Sequence, residues 1–210
     1  MLPMNELYPI FLKTETLQFL IVGGGNVALE KLEFLIKSSP NAQITMVAPY
    51  YRKATLDFVT NKPNISLIHR TFNSFFLKGK HIVIATTDDP VVNQKIHYFC
   101  KKKRILVNVA DTPDLCDFYM GGIVTKGNLK IGISTNGKSP TLAKRIRQFL
   151  EELLPEEIND LLDKLQNYRK TLDRAFEFKV NEMNKSILKR NDTNRYNHHW
   201  SWSRRTLYCI

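Results

Sequence analysis

The first residues that could do chemistry form the stretch GGGNVA at residues 23–28. It follows a strand-like apolar run and opens a helix-like one, which is the context that the dinucleotide-binding motif G-x-G-x-x-A requires. In that motif one glycine allows a tight turn, a later one lets the backbone approach a pyrophosphate, and free helix N–H groups face the phosphates. The alternative is a glycine turn that only joins two elements. The predicted cofactor-binding residues here are Gly23, Gly25, Asn26, Val27 and Ala28.

A second polar group consists of Thr86, Thr87 and Asp88, at the end of the strand-like run that begins at His81. Dinucleotide-binding folds line their cofactor crevice with residues at this place. We therefore expect all three to contact the cofactor, and a turn with a helix cap is the alternative.

The residues predicted to lie near the adenosine ribose do not identify one cofactor. An acid usually holds this ribose at the end of the second strand. Here that stretch reads MVAP at residues 46–49, and Arg52 and Lys53 follow. The stretch therefore leaves NAD and NADP both open.

The elements that position these residues alternate between strand and helix. Apolar strand-like runs lie at residues 17–22, 43–49, 65–70, 81–87 and 105–110. This alternation predicts an α/β fold with a Rossmann-like, doubly wound parallel sheet. Asp89 and Pro90 predict the N-cap and first residue of the helix behind the fourth strand.

The alternation then stops, and the rest of the chain divides into smaller parts. Residues 118–135 predict an antiparallel hairpin with its turn at 126–128, and Ser139 with Pro140 predicts the start of a helix. Helix is also expected from residue 155 to about 189, and a weakly ordered tail after it. The predicted domains are an NAD-binding domain at 1–112, a dimerisation unit at 113–147, a helical domain at 148–190 and a basic, aromatic tail at 191–210.

Composition limits the class of protein. The longest apolar runs are far shorter than the ~20 residues that cross a bilayer. The beginning of the chain lacks the features of a signal peptide, and Cys100, Cys116 and Cys209 are widely spaced and outside any CxxC. We therefore expect a cytoplasmic, soluble protein without a membrane partner. The net charge of +11 indicates either anionic partners or a solvated basic surface.

Four stretches together resemble the precorrin-2 dehydrogenase family of sirohaem biosynthesis, both in its stand-alone form and as the N-terminal module of sirohaem synthases. They read FLIVGGGNVALEKL, VIATTDDPVVNQKI, VNVADTPDLCDFYMGGIV and IGISTNGKSPTLAKRIRQFLEELLP, and the likeness covers roughly residues 7–155. The resemblance implies NAD-dependent oxidation of precorrin-2 to sirohydrochlorin by a homodimer joined through the hairpin-and-helix unit. Some members also insert Fe(II) into the product, and the sequence leaves this activity open.

The resemblance also implies a catalytic residue, Asp111, which directly follows the fifth strand. Oxidation by hydride removal leaves a proton to be lost, and a partly shielded carboxylate with a raised pKa suits a base. Judged from its local sequence alone, Asp111 more often fits a turn before Thr112-Pro113.

Substrate-binding residues are implied on the same grounds. They are Asn108, Ser139, Lys144 and Arg145. Basic residues of the helix that Ser139 opens would hold some of the eight carboxylates of precorrin-2. The alternative is the ordinary wet face of an amphipathic helix.

Two other classes of function share parts of this sequence pattern. A non-catalytic NAD-sensing domain would share the glycine turn but would not need Asp111. Trp200, Trp202, Arg204 and Arg205 suggest base stacking on nucleic acid, but the segment lacks a recognisable binding fold, so we expect no nucleic-acid partner. The five histidines have no spacing typical of a stable site, and we expect no bound metal.

Overall fold

The computed structural model describes residues 5–171 together with residues 178, 181, 182 and 185. The chain divides into two compact units, Met1–Thr125 with Ile131–Glu151, and Lys126–Lys130 with Glu152–Ile210. Within the described residues, every helix is too short or too polar to cross a membrane.

The first unit contains a five-stranded parallel sheet. Its strands are β1 (Gln18–Val22), β2 (Gln43–Ala48), β3 (Ile65–His69), β4 (Ile82–Ala85) and β5 (Leu106–Val109), in the spatial order β3-β2-β1-β4-β5. The helices between them are α1 (Asn26–Ser38), α2 (Lys53–Val59) and α3 (Pro90–Lys103), with short 3₁₀ helices at Thr14–Thr16, Ser74–Leu77 and Pro113–Leu115. The predicted doubly wound parallel sheet is confirmed.

The central strands are apolar on both faces because both faces are covered. One face packs against α3 through a cluster that includes Leu20, Val47, Val83, Ile96 and Cys100. The opposite face packs against α1 through a cluster that includes Ile21, Met46, Ile84, Ala28 and Leu32. Such two-sided burial explains why β1 and β4 are continuous apolar runs with no polar alternation.

Two predicted helix starts are confirmed by their capping bonds. The Asp89 carboxylate accepts from the N–H groups of Val91 and Val92, at 2.8 and 3.3 Å, where α3 begins. The Ser139 hydroxyl accepts from Leu142 N at 3.2 Å, where α4 (Pro140–Leu153) begins. Each cap satisfies backbone donors that the first helical turn leaves without a partner.

The predicted hairpin is formed by β6 (Gly122–Lys126) and β7 (Leu129–Ile133), and α5 spans Ile158–Thr171. In the second unit, the hairpin turn packs against α5. The backbone of Gly127 is left-handed (φ +53°), and an added Cβ there would overlap the Asn159 side chain. Asn159 Oδ1 accepts from Asn128 N at 3.0 Å, and Lys126 pairs with Glu156. The expected tail at residues 191–210 lies outside the described residues.

Candidate functional site

The candidate site begins at the switch point of the sheet, where β1 has β2 on one side and β4 on the other. The loops after β1 and β4 leave the carboxyl edge here, which is where open α/β sheets bind their ligands. Backbone bonds hold these loops in place. Gly23 N donates to Val47 O at 3.0 Å, and Thr86 N donates to Val22 O at 2.8 Å.

The three glycines after β1 have different surroundings. Gly23 has φ +133°, and an added Cβ would overlap the side chain of Thr86. A Cβ on Gly24 would overlap the carbonyl oxygen of Tyr50. A Cβ on Gly25 would meet no atom of the described residues within 4 Å. The first two glycines therefore allow the chain to pack against itself, while the third faces open space.

The start of α1 provides hydrogen-bond donors at that open space. Gly25 is the N-cap, and no side chain of the described residues caps the helix. Its first internal bond runs from Leu29 N to Gly25 O at 3.2 Å. The N–H groups of Asn26, Val27 and Ala28 therefore have no acceptor within the helix. Uncapped N–H groups at the positive end of a helix, beside a position without a side chain, fit the diphosphate of a dinucleotide. Ala28 itself is fully buried against the sheet, as the motif requires.

The three residues after β4 that are predicted to contact the cofactor differ in their hydrogen bonds and exposure. The Thr86 hydroxyl donates to Val22 O at 2.9 Å, and that of Thr87 donates to Asn93 Oδ1 at 2.7 Å. Asp88 is exposed. Thr86 and Thr87 thus hold the loop at the switch point, and contact of the three with a cofactor stays a prediction.

The segment after β2 completes this edge of the sheet. Arg52 N donates to Gly24 O at 3.1 Å. The Tyr51 hydroxyl donates to Ile68 O at 3.0 Å, and its ring packs edge-on against His69 with centroids 4.9 Å apart. Burial raises the pKa of Tyr51 to about 12, which keeps this hydroxyl a donor. The sequence motif does not predict that the backbone of Gly24 packs against this segment and accepts a hydrogen bond from it.

Asp111 lies at the turn after β5, on the same edge of the sheet. Its backbone is left-handed (φ +57°), which is uncommon for a residue with a side chain although aspartate tolerates it better than most. The residue is exposed, and among the described residues its carboxylate has no hydrogen-bond or ion-pair partner. A polar side chain that lacks an internal partner and is carried on a strained backbone is a candidate for function.

The loop that carries Asp111 is fastened to β5 by residues further along. Asn108, which is 7% exposed, donates through Nδ2 to Phe118 O at 2.8 Å. The Cys116 sulfur accepts from Val109 N at 3.3 Å, and burial raises the pKa of this thiol, so it stays protonated at neutral pH. Asp117 accepts from Val107 N at 3.1 Å and pairs with Lys101. The Asn108 amide thus bonds to the backbone of the loop. That it also contacts a substrate stays a prediction.

We expect Asp117→Ala to lower the free energy of unfolding by about 1–3 kcal/mol, because it leaves the buried N–H of Val107 without its side-chain acceptor. Asp114→Ala removes an exposed acid from the same loop and is the matched control. Urea denaturation of both variants measures the difference. Equal stability of the two variants would show that the Asp117 bond contributes nothing.

The predicted substrate-binding residues of α4 have separate environments. Ser139 is occupied as the N-cap, and its N–H donates to Thr135 Oγ1 at 3.2 Å. Lys144 and Arg145 are exposed, and in the described part of the chain no ion pair involves them. The neighbouring Arg147 pairs with Glu151, with both oxygens within 2.7 Å of one nitrogen. Lys144 and Arg145 are therefore the cations of this helix that an external carboxylate can reach.

Metal-binding side chains do not gather into a site in the described residues. No group of three or more His, Cys, Asp or Glu side chains there could hold an ion. Cys100 is fully buried, and burial raises the pKa of its thiol to about 12. That thiol is therefore a packing group.

A parallel sheet whose switch point carries a glycine turn, followed by a helix without a capping side chain, is typical of a dinucleotide-binding protein. The chain belongs to the NAD(P)-binding family, whose model matches residues 10–122. A second family model, described as the central part of a sirohaem biosynthesis protein, matches residues 126–153. The family and dinucleotide cofactor predicted from the sequence are confirmed.

Curated relatives agree with both family matches. The siroheme synthase of Psychrobacter sp. (strain PRwf-1) is 37% identical over 190 residues, which cover 84% of this chain and 38% of that protein. The siroheme synthase of Psychrobacter arcticus is 36% identical and is covered to 34%. The chain thus spans about a third of the length of these relatives.

A solved structure shares the fold along most of the chain. The protein titled SirC, precorrin-2 dehydrogenase, superposes with a TM-score of 0.65 at 24% identity, covering 86% of this chain and 89% of that one. The likeness therefore includes the hairpin and helices as well as the parallel sheet.

Proposed function

We propose that the chain is an NAD-dependent dehydrogenase that oxidises precorrin-2 to sirohydrochlorin. The observation that carries the proposal is the presence of two unlike groups at one sheet edge. The uncapped start of α1 follows β1, and Asp111, which is strained and has no partner among the described residues, follows β5. The names of the relatives, siroheme synthase and precorrin-2 dehydrogenase, point to the same substrate.

The residues of the chain have distinct roles in this proposal. Gly25 leaves room for the diphosphate, and the N–H groups of Asn26 and Val27 bind it. When bound, the nicotinamide cofactor supplies a hydride acceptor. Oxidation of a CH–CH bond to C=C also releases a proton, and the Asp111 carboxylate takes it. Lys144 and Arg145 bind carboxylates of the substrate.

A dinucleotide sensor without catalysis is the alternative from another class, and Asp111 separates the two. A sensor needs the glycine turn but has no use for an unpartnered carboxylate in a strained backbone. The test is to incubate the purified chain with NAD⁺ and precorrin-2 and to follow the absorbance of sirohydrochlorin and the fluorescence of NADH. Both are expected to rise together. NAD⁺ binding without product would support the sensor.

We also propose that the chain forms a homodimer through α4. Leu142 is 50% exposed and Phe149 is 61% exposed, and residues seven apart lie on one helix face. Large apolar side chains that share an exposed face are typical of an interface.

Phe149→Glu is expected to weaken self-association about tenfold or more, because a desolvated charge without a partner is costly in an interface. The neighbouring exposed Gln148→Glu adds the same charge and is the control. Sedimentation velocity over a range of concentrations measures both variants. A monomeric wild type, or equal weakening by the two variants, would contradict the proposal.

The proposed location is the cytoplasm. Cys100 and Cys116, the two cysteines in the described residues, are both free thiols. Free thiols are typical of reducing compartments. Cell fractionation with an antibody against the chain tests this.

A further inference from the structure

The carboxyl ends of β2 and β3 form a basic surface next to the glycine turn. Ala48 at the end of β2 pairs with His69 at the end of β3, so the residues after both strands are neighbours. These residues include three exposed cations, Arg52, Lys53 and Arg70. The adenosine ribose of a bound dinucleotide lies at this end of the sheet, near the end of β2.

The position of Arg52 is fixed relative to the dinucleotide turn. Its N–H donates to Gly24 O at 3.1 Å, and the backbone of Tyr50 lies so close to Gly24 that no side chain fits there. On the other side, Tyr51 is fastened to Ile68 by its hydroxyl. The segment that carries Arg52 is therefore joined to the phosphate-binding turn and to β3 at once.

No acid lies among the residues that directly follow β2 and β3. Residues 46–49 contain no carboxylate, and the first acid after them is Asp57 in α2. Neither Arg52 nor Arg70 forms an ion pair in the described part of the chain. An unpaired guanidinium presents a planar set of donors that matches the oxygens of a phosphate.

The chemistry at this place decides which dinucleotide is accepted. An acid at the end of the second strand binds the ribose 2′-hydroxyl and repels a 2′-phosphate, whereas a nearby arginine accommodates the phosphate. We infer that this chain binds NADP(H) as well as NAD(H), with Arg52 contacting the 2′-phosphate. This inference rests on the dinucleotide site of the proposed function and extends its range of cofactors.

Isothermal titration calorimetry on the purified full chain tests the inference without any turnover. NADP⁺ is expected to bind within about threefold of NAD⁺, or more tightly. Arg52→Ala should weaken NADP⁺ about tenfold, the loss expected for one charge-assisted contact, and change NAD⁺ binding less than about threefold. Lys37→Ala is the matched control, because Lys37 is an exposed cation in the last turn of α1, at the opposite end of that helix from the glycine turn.

Paired small probes separate the 2′-phosphate from the rest of the ligand. Adenosine 2′,5′-bisphosphate should bind more tightly than 5′-AMP to the wild type, and the difference should shrink in Arg52→Ala. Binding of NADP⁺ more than tenfold weaker than NAD⁺ would overturn the inference and leave the proposed function intact. Equal weakening of both dinucleotides by Arg52→Ala would overturn the role of Arg52. Failure of both dinucleotides to bind the wild type would overturn the dinucleotide site itself.

Discussion

Asp111→Asn is expected to lower kcat for the oxidation of precorrin-2 by about 10²–10⁴-fold, the usual contribution of a general base. The amide keeps the size of the side chain and tolerates the left-handed backbone of this position (φ +57°). It cannot take up the proton that leaves when the CH–CH bond becomes C=C. The measurement is the initial rate of sirohydrochlorin formation with saturating NAD⁺.

The control for Asp111 is Asp114→Asn, which changes an exposed carboxylate three residues further along the same loop. It should retain the rate of the wild type. Calorimetry with NAD⁺ should give the same affinity for all three proteins, because Asp111 is assigned to the proton and not to the cofactor. An Asp111→Asn variant with undiminished kcat would exclude Asp111 as the base and leave the dinucleotide site unaffected.

In the glycine turn, an effect on NAD⁺ binding can be separated from an effect on folding stability. Gly25→Ser is expected to weaken NAD⁺ binding about 100-fold, because its side chain enters the open space and its oxygen accepts the N–H groups that bind phosphate. Serine is a good N-cap, and in the part of the chain that the structure describes no atom lies within 4 Å of the added Cβ, so the free energy of unfolding should be unchanged or slightly higher.

Gly24→Ala is the comparison variant. We expect it to lower stability, whereas Gly25→Ser should lower the affinity for NAD⁺. The Cβ that Gly24→Ala adds overlaps the Tyr50 carbonyl, so we expect a loss of about 1–3 kcal/mol in stability from forced repacking. Thermal unfolding and calorimetry on the two variants show whether stability and binding change separately. If Gly25→Ser bound NAD⁺ like the wild type, the diphosphate would lie elsewhere.

The parts of the fold that could be predicted were those with local causes. Continuous apolar runs identified the strands because a strand covered on both faces has no polar alternation. Asp89 and Ser139 identified helix starts because a cap lies within three residues of the N–H groups it satisfies. The glycine motif likewise depends on one turn and its two neighbouring elements.

The parts that could not be predicted depend on contacts between distant residues. Nothing near Gly24 in the sequence indicates that Tyr50 packs against it. Asp117 bonds to Val107, and Asn108 to Phe118, across ten residues of loop with no periodic pattern. The family resemblance implies Asn108 only as a substrate-binding residue, and no sequence pattern predicts a structural role for Asp117.

The hairpin formed by β6 and β7 is shared between the two units of the chain. Its turn, Lys126–Lys130, belongs with α5, whereas the rest of both strands belongs with the sheet unit. The bond from Asn128 N to Asn159 ties that turn to the helix, and the ion pair of Lys126 with Glu156 ties it to the residues just before the helix. Local unfolding of α5 would therefore expose the amides of the hairpin turn to exchange. The remaining residues of β6 and β7 would stay protected, because they unfold together with the sheet unit.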